Sequence, residues 1–243
     1  MRALLLLIAL LAPPGSDALA QGPPVDVALV LAVDASGSIS QGEFQLQKQG
    51  IAEAVTSPRV LSAIQGGQLR RLAIAYVEWG GPGNAQTVVG WHIVEDAASA
   101  TRFAQALLEA RRTAQGYNAI GDAILHSAAL LGSCPCEALR RVIDISGDNS
   151  DRLSLVPAPA ARDQAVAAGI TVNALAILQS DLVGPRGKPL LVESYENEVI
   201  GGPGAFVLPA ENRAAFTEAL LDKMVLEISG LAPAPGALQQ ARP

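Results

Sequence analysis

Two patterns of apolar and polar positions alternate along the chain. Residues 27–33 (VALVLAV) form an unbroken aliphatic run, the mark of a parallel strand buried on both faces. Ser40-Gln41-Gly42-Glu43 follows. Its spacing is that of a capping box, with Ser40 as N-cap and Glu43 at the third helical position. The helix it opens carries Phe44, Ile51 and Val55 on one face. Residues 71–79 (RLAIAYVEW) and 87–94 (TVVGWHIV) predict two more strands. Gly80-Gly81-Pro82-Gly83-Asn84 joins them, and so short a connection makes the pair antiparallel.

Helical spacing returns at 99–112, with Phe103, Leu107 and Ala110 in register, and at 119–131, with Ile120, Ile124 and Leu131 along one stripe. Residues 141–146 (RVIDIS) predict a short strand, 160–168 an Ala-rich helix ended by Gly169, 170–178 (ITVNALAIL) and 205–208 (AFVL) two further strands. A long helix over 211–228 carries Phe216, Leu220, Met224 and Ile228 at four-residue steps. Strands alternating with helices predict an α/β fold, doubly wound. The central sheet is mostly parallel, with one antiparallel edge strand and helices on both faces. No internal repeat or linker divides the chain.

Composition narrows the possible functions. Half of the 243 residues are hydrophobic and 16% are charged, enough apolar material for a full core. The net charge is −6 and no basic block occurs, which argues against nucleic acid as a partner. The ends differ from the rest. Arg2 precedes a ten-residue apolar run at 3–12, followed by Pro13-Pro14-Gly15 and Ala18-Leu19-Ala20. The run has roughly half the length that crosses a bilayer. It reads as a signal peptide cut near Ala20, with a short membrane anchor as the competing reading. Residues 21–229 are then the folded domain, and 230–243 a Pro/Ala-rich disordered tail. No membrane span is expected in the mature chain. The expected location is periplasmic or secreted, where thiols oxidise. Cys134-Pro135-Cys136 is expected to be a local disulfide in a surface loop, with a redox role or an intermolecular bridge as alternatives.

Ligands of open α/β sheets bind at the carboxyl ends of strands. The first strand runs into Asp34-Ala35-Ser36-Gly37-Ser38 and RVIDIS into Gly147-Asp148-Asn149. Carboxylates and hydroxyls are hard oxygen donors, suited to Mg²⁺, Mn²⁺ or Ca²⁺. In a doubly wound sheet these two strands are natural neighbours, so Asp34 and Asp148 are expected to face each other. Ser40 already caps the first helix, which leaves Ser38 less needed for capping. Asp144 inside its strand is expected to be paired structurally.

Asp34-x-Ser36-x-Ser38 after an apolar strand resembles the metal-ion-dependent adhesion site (MIDAS) of von Willebrand factor A (VWA) domains. Residues 27–38, 76–82, 141–148 and 200–206 further resemble an exported bacterial VWA-like subfamily of unknown function. The resemblance extends over roughly residues 25–228. It implies a site of Asp34, Ser36, Ser38, Asp148 and a residue of a second loop. There the family's Thr position holds Asn118, whose carbonyl oxygen can ligate a hard cation with different reach and geometry; Thr113 is a weaker substitute. The resemblance also implies a divalent cation, Mg²⁺ first and Mn²⁺ or Ca²⁺ next, that captures an Asp or Glu carboxylate of a protein partner. Tyr117, beside Asn118, is the expected partner contact, and Trp79 and Trp91 are further candidates for the surface around the site.

Two other functions compete. A metal-dependent hydrolase or phosphatase would use Asp34 and Asp148. Against it, the chain has no phosphate-binding glycine loop and no G-x-S-x-G. Its two histidines, His92 and His126, fall in an edge strand and a helix. A degenerate scaffold without metal is the third reading, resting on Asn118.

Overall fold

The computed structural model describes residues 22–231 except Ser38, Asp181, Arg213 and Ala214. Residues 1–20 and all but the first two residues of the expected tail lie outside that set. The chain order is β1 (Pro24–Asp34), α1 (Gln41–Thr56), α2 (Pro58–Gln65), β2 (Leu72–Trp79), β3 (Gln86–Val94), α3 (Ala97–Glu109), α4 (Ile120–Gly132), β4 (Glu137–Gly147), α5 (Ala158–Ala167), β5 (Thr171–Ile177), α6 (Leu190–Glu198), β6 (Val207–Ala210) and α7 (Phe216–Ser229).

Six strands form one sheet in the order β3-β2-β1-β4-β5-β6. β3 is the antiparallel edge and all other pairings are parallel. β1 and β4 are neighbours, with Val33 opposite Ser146, so their carboxyl ends meet at one edge. The order of winding reverses there, since the chain moves from β1 to β2 on one side and later to β4 on the other. That is the place where open α/β sheets bind ligands.

The run predicted over 27–33 is buried throughout because both faces of β1 are covered. Leu29 and Leu31 pack toward α1, α2, α3 and α7, among Ile51, Phe103 and Leu220. Ala28 and Val30 pack on the other face with α4, α5 and α6, among Ile124, Ala161 and Tyr195. Fully burying one such aliphatic side chain contributes about 1.5–3 kcal/mol, so the two layers fix the sheet between them.

The capping box of α1 forms as expected: Glu43 N–H donates to Ser40 Oγ and the Ser40 N–H to the Glu43 carboxylate. Several boundaries differ from the sequence pattern. α3 stops at Glu109 rather than 112, because Ala110 turns extended (φ −63°, ψ 142°). α7 starts at Phe216 rather than 211. β4 begins four residues early, at Glu137, drawn in by pairing with β1. Helices α2 and α6 were not anticipated, although Ser57-Pro58 gives α2 both an N-cap and a proline in its first turn.

Asp144 is paired, as expected for a charge inside a buried strand. Lys223 of α7 reaches its Oδ1 at 2.8 Å and also pairs with Glu227. Asn173 of β5 donates to Glu227 at 2.9 Å. This ionic group ties β4 and β5 to α7. Cys134 and Cys136 form the local disulfide expected of them, at the α4–β4 junction.

Candidate functional site

Three loops meet at the carboxyl end of β1. The first leaves β1 at Asp34, which is fully buried. Asp34 Oδ1 accepts the Ser36 N–H at 2.7 Å, folding the chain into a tight turn. The Ala35 N–H donates to Trp79 at the end of β2, and Gly37 donates to the Gly116 carbonyl at 2.9 Å. Ser36 is buried at this turn. Ser38 lies outside the described residues.

The second loop, 110–119, is locked to the first by a residue that sequence reading passed over. The Arg112 guanidinium donates to the carbonyls of Ala35 (2.7 and 3.1 Å), Ser36 (2.5 Å) and Ile39 (2.9 Å). Its charge also lies over the Phe44 ring, 5.1 Å from the centroid. Buried Glu78 accepts the Thr113 N–H at 2.6 Å and the Thr113 hydroxyl at 2.9 Å. Thr113 is therefore held by Glu78. Gly116 has φ +105°, and a Cβ there would lie 2.9 Å from Gly81, so the loops pack backbone against backbone.

This packing delivers Asn118 to the site, only 7% exposed, beside Ser36 in the wall of one cleft. Its Oδ1 is buried and has no hydrogen-bond partner among the described residues. Such an acceptor is costly unless something fills it. Tyr117 stands at the rim, 72% exposed. Trp79, a surface candidate by sequence, is fully buried, since its strand lies inside the sheet rather than at the edge.

The third loop leaves β4. Asp148 is nearly buried; its Oδ1 accepts from Asn149 Nδ2 at 3.1 Å and its Oδ2 from Gln179 Nε2. Gln179, just past β5, was not legible in advance. Nor was Asp151, which accepts N–H groups from Ile120 (2.9 Å) and Ala158 (3.0 Å). Because Ala119 offers no side-chain cap, Asp151 serves the N-termini of α4 and α5 together. Beneath the loops, the Tyr195 hydroxyl donates to the Asn149 carbonyl at 2.9 Å. Burial, with Asp34, Asp148 and Asp151 nearby, holds its ionisation well above the ordinary tyrosine range. Tyr195 is thus a fixed neutral donor under three carboxylates. A Cβ on Gly147 would fall 2.7 Å from that hydroxyl, so only glycine lets β4 end here.

The cleft has a volume of about 810 Å³, and Ser36, Asn118 and Asn149 bring oxygens to its wall. Asp34 and Asp148 stand at the carboxyl ends of the neighbouring strands β1 and β4 and are not among the residues lining the cleft; oxygen ligands of this kind suit hard cations rather than thiophilic ones. No group of three or more His, Cys, Asp and Glu side chains placed to hold a metal ion occurs among the described residues. The histidines lie elsewhere: His126 contacts Thr87 at 2.9 Å, and His92 meets Phe103 edge-on.

Solved structures share this fold. The proximal thread matrix protein 1 from the mussel byssus, with a zinc-occupied MIDAS motif, aligns at TM-score 0.58 and 16% identity over 86% of this chain and 47% of its own. A von Willebrand factor type A protein from Catenulispora acidiphila aligns at 0.55 and 16%, over 84% and 43%. The pilus adhesin SpaC from Lactobacillus rhamnosus GG aligns at 0.57 and 16%, over 85% and 31%. The chain thus spans about a third to a half of each of these proteins. They establish a VWA-like fold. Among curated protein sequences none matches. Residues 24–232 match the family described as protein of unknown function (DUF1194), and the chain belongs to that family, built here on a VWA-like fold.

Proposed function

We propose that this chain is an exported VWA-type binding module. It holds a hard divalent cation, Mg²⁺ before Mn²⁺ or Ca²⁺, at Asp34, Ser36, Ser38, Asn118 and Asp148. It captures an acidic group of a protein partner. The observation that carries the reading is the buried, unpartnered Oδ1 of Asn118 in the cleft wall beside Ser36. A coordinating cation would satisfy that acceptor. The zinc-occupied MIDAS of the mussel protein supports a cation at this place in the fold, and the all-oxygen donor set favours Mg²⁺ over zinc here.

When bound, the ion supplies one open position for an external carboxylate. The chain's own residues do the rest. Arg112 holds the two loops together, Glu78 of β2 holds the second, Gln179 and Asn149 orient the Asp148 carboxylate, and Tyr195 fixes the floor. Export is supported by the pattern of residues 1–20 and by the disulfide.

Calorimetric titration of Mg²⁺, Mn²⁺ and Ca²⁺ into the exported chain, beside Asp34→Ala, tests the reading. Saturable one-site binding lost in the variant is expected. Equal heats from parent and variant would overturn it and leave a metal-free scaffold.

A further inference from the structure

The cleft at the carboxyl end of the sheet has a second half, formed by the loop after β4. Arg152 and Leu153 line it together with Tyr117. Both are exposed, Leu153 at 50%. Exposed Leu155 follows on the same loop. A run of exposed apolar groups around one cleft is the signature of an interaction site rather than of scattered surface residues.

This half is also built rigidly. The N–H groups of Arg152 and Leu153 both donate to the Asn118 carbonyl, at 3.1 and 3.3 Å. The loop is therefore pinned to the residue that closes the proposed cation site, so a ligand would meet a preorganised surface. The neighbouring Asp151 turns its carboxylate toward the N-termini of α4 and α5. Arg152 has no ion pair or side-chain hydrogen bond among the described residues. In a chain of net charge −6, this exposed guanidinium at the cleft is available to an external anion.

We infer that the cleft docks a short extended segment of a partner protein carrying two acidic residues and an apolar one. One carboxylate lies toward the cation site, the second pairs with the Arg152 guanidinium, and the apolar side chain packs against Tyr117 and Leu153. This inference rests on the proposed function and names the partner's chemistry. A volume of about 810 Å³ falls within the range of pockets for compact ligands, about 300–1,000 Å³, so it suits a few side chains rather than a flat protein face. The chain's own residues 230–243 contain no Asp or Glu side chain and do not supply the acidic pair.

An array of synthetic decapeptides tests this. Each holds one Asp, a second position as Glu or Ser, and a third as Leu or Gly. The exported chain, Arg152→Ala and Tyr117→Ala are applied to it with Mg²⁺ or with EDTA. The parent is expected to retain the Asp/Glu/Leu peptides best. Arg152→Ala should lose the preference for the second acid by about tenfold, the scale of a charge-assisted hydrogen bond. Tyr117→Ala should lose the preference for Leu. Both variants should titrate Mg²⁺ like the parent and melt with it. If the parent binds Mg²⁺ but does not discriminate among the peptides, or if both variants keep its preferences, the inference falls while the cation reading stands. If no Mg²⁺ binds yet Arg152 and Tyr117 still select peptides in EDTA, the cation reading falls and the docking surface stands. A parent dimer in sedimentation that Tyr117→Ala abolishes would identify a second copy as the occupant and overturn the inference.

Discussion

Arg112 donates to the Ser36 carbonyl at 2.5 Å, so a residue of the second loop sets the position of the first. The same guanidinium serves Ala35 and Ile39. Two carbonyls of the DxSxS turn and that of Ile39 just after it depend on it. Replacing it with Ala leaves buried acceptors unmade, at about 1–3 kcal/mol for each such group. Arg112→Ala is expected to lower unfolding stability by about 2–3 kcal/mol, read as a shifted midpoint in urea. Arg112→Lys recovers only part of it, because one ammonium lacks the planar fork. In the cation titration both variants should bind more weakly than the parent. A urea midpoint unchanged in Arg112→Ala would refute the strut.

Asn118 gives a prediction in which stability and binding move apart. Its Oδ1 has no hydrogen-bond partner among the described residues, so removing it costs the metal-free protein little. Asn118→Ala is expected to melt at or slightly above the parent without metal. With Mg²⁺ present, the parent's melting temperature should rise and the variant's should rise less. Ligand at about a hundred times its dissociation constant adds about 2.7 kcal/mol, so the difference is measurable. Asn118→Thr, which places a hydroxyl there, should restore the response. An identical Mg²⁺-induced rise in parent and Asn118→Ala would remove Asn118 from the ligand set.

Much of this site could be read in the sequence, for local reasons. Asp34 and Ser36 follow a buried aliphatic run and precede a capping box, so strand, turn and helix are each encoded within a few residues. Asp148 stands just past a second such run. The supporting residues are different in kind. Arg112, Glu78, Gln179 and Asp151 act on partners distant in the chain, and nothing in their own neighbourhoods marks them. The helical spacing over 99–112 even hides Arg112, because tertiary hydrogen bonds override the local pattern and end α3 at Glu109. Trp79, a candidate for the surface around the site, is buried because β2 lies inside the sheet with β3 beyond it, a placement set by distant strands.

Asp151 makes a third test. One carboxylate caps two helices, accepting from Ile120 and Ala158. An N-cap contributes about 0.5–2 kcal/mol. Asp151→Ala is expected to destabilise by about 2 kcal/mol or more, since both helix ends lose their acceptor. Asp151→Asn keeps an acceptor and forfeits the charge–dipole part, about 0.3–1 kcal/mol. The order parent, Asn, Ala in chemical denaturation is the expected result. Equal midpoints for Ala and parent would show that the cap adds nothing.

The buried group on α7 predicts how stability depends on pH. Burial, with Asp144 beside it, raises the Glu227 carboxyl from 4.5 to about 7, against the opposing pull of Lys223. The folded state then binds a proton more tightly than the unfolded chain does. Below pH 4.5 the group is protonated in both states. Between pH 4.5 and about 7 the unfolded chain ionises first, so stability falls as pH rises, and above that window the loss is complete. Chemically, Asp144 and Lys223 already balance in charge, and an ionised Glu227 leaves a buried excess negative charge. Glu227→Gln removes that charge and keeps an oxygen for Lys223 and Asn173. One pKa unit corresponds to about 1.4 kcal/mol, and each kcal/mol moves the melting temperature of a domain this size by about 2–4 °C. The parent is therefore expected to lose several degrees between pH 5 and pH 8 that Glu227→Gln retains. Asp96, whose carboxyl is lowered by its Ser99 hydrogen bonds, changes stability only at more acid pH; His126, lowered from 6.5 by burial, makes stability rise with pH below that value in parent and variant alike, so the difference between the two proteins reports Glu227. Parallel melting curves for parent and Glu227→Gln across pH 5 to 8 would mean that Glu227 stays ionised throughout, held by Lys223.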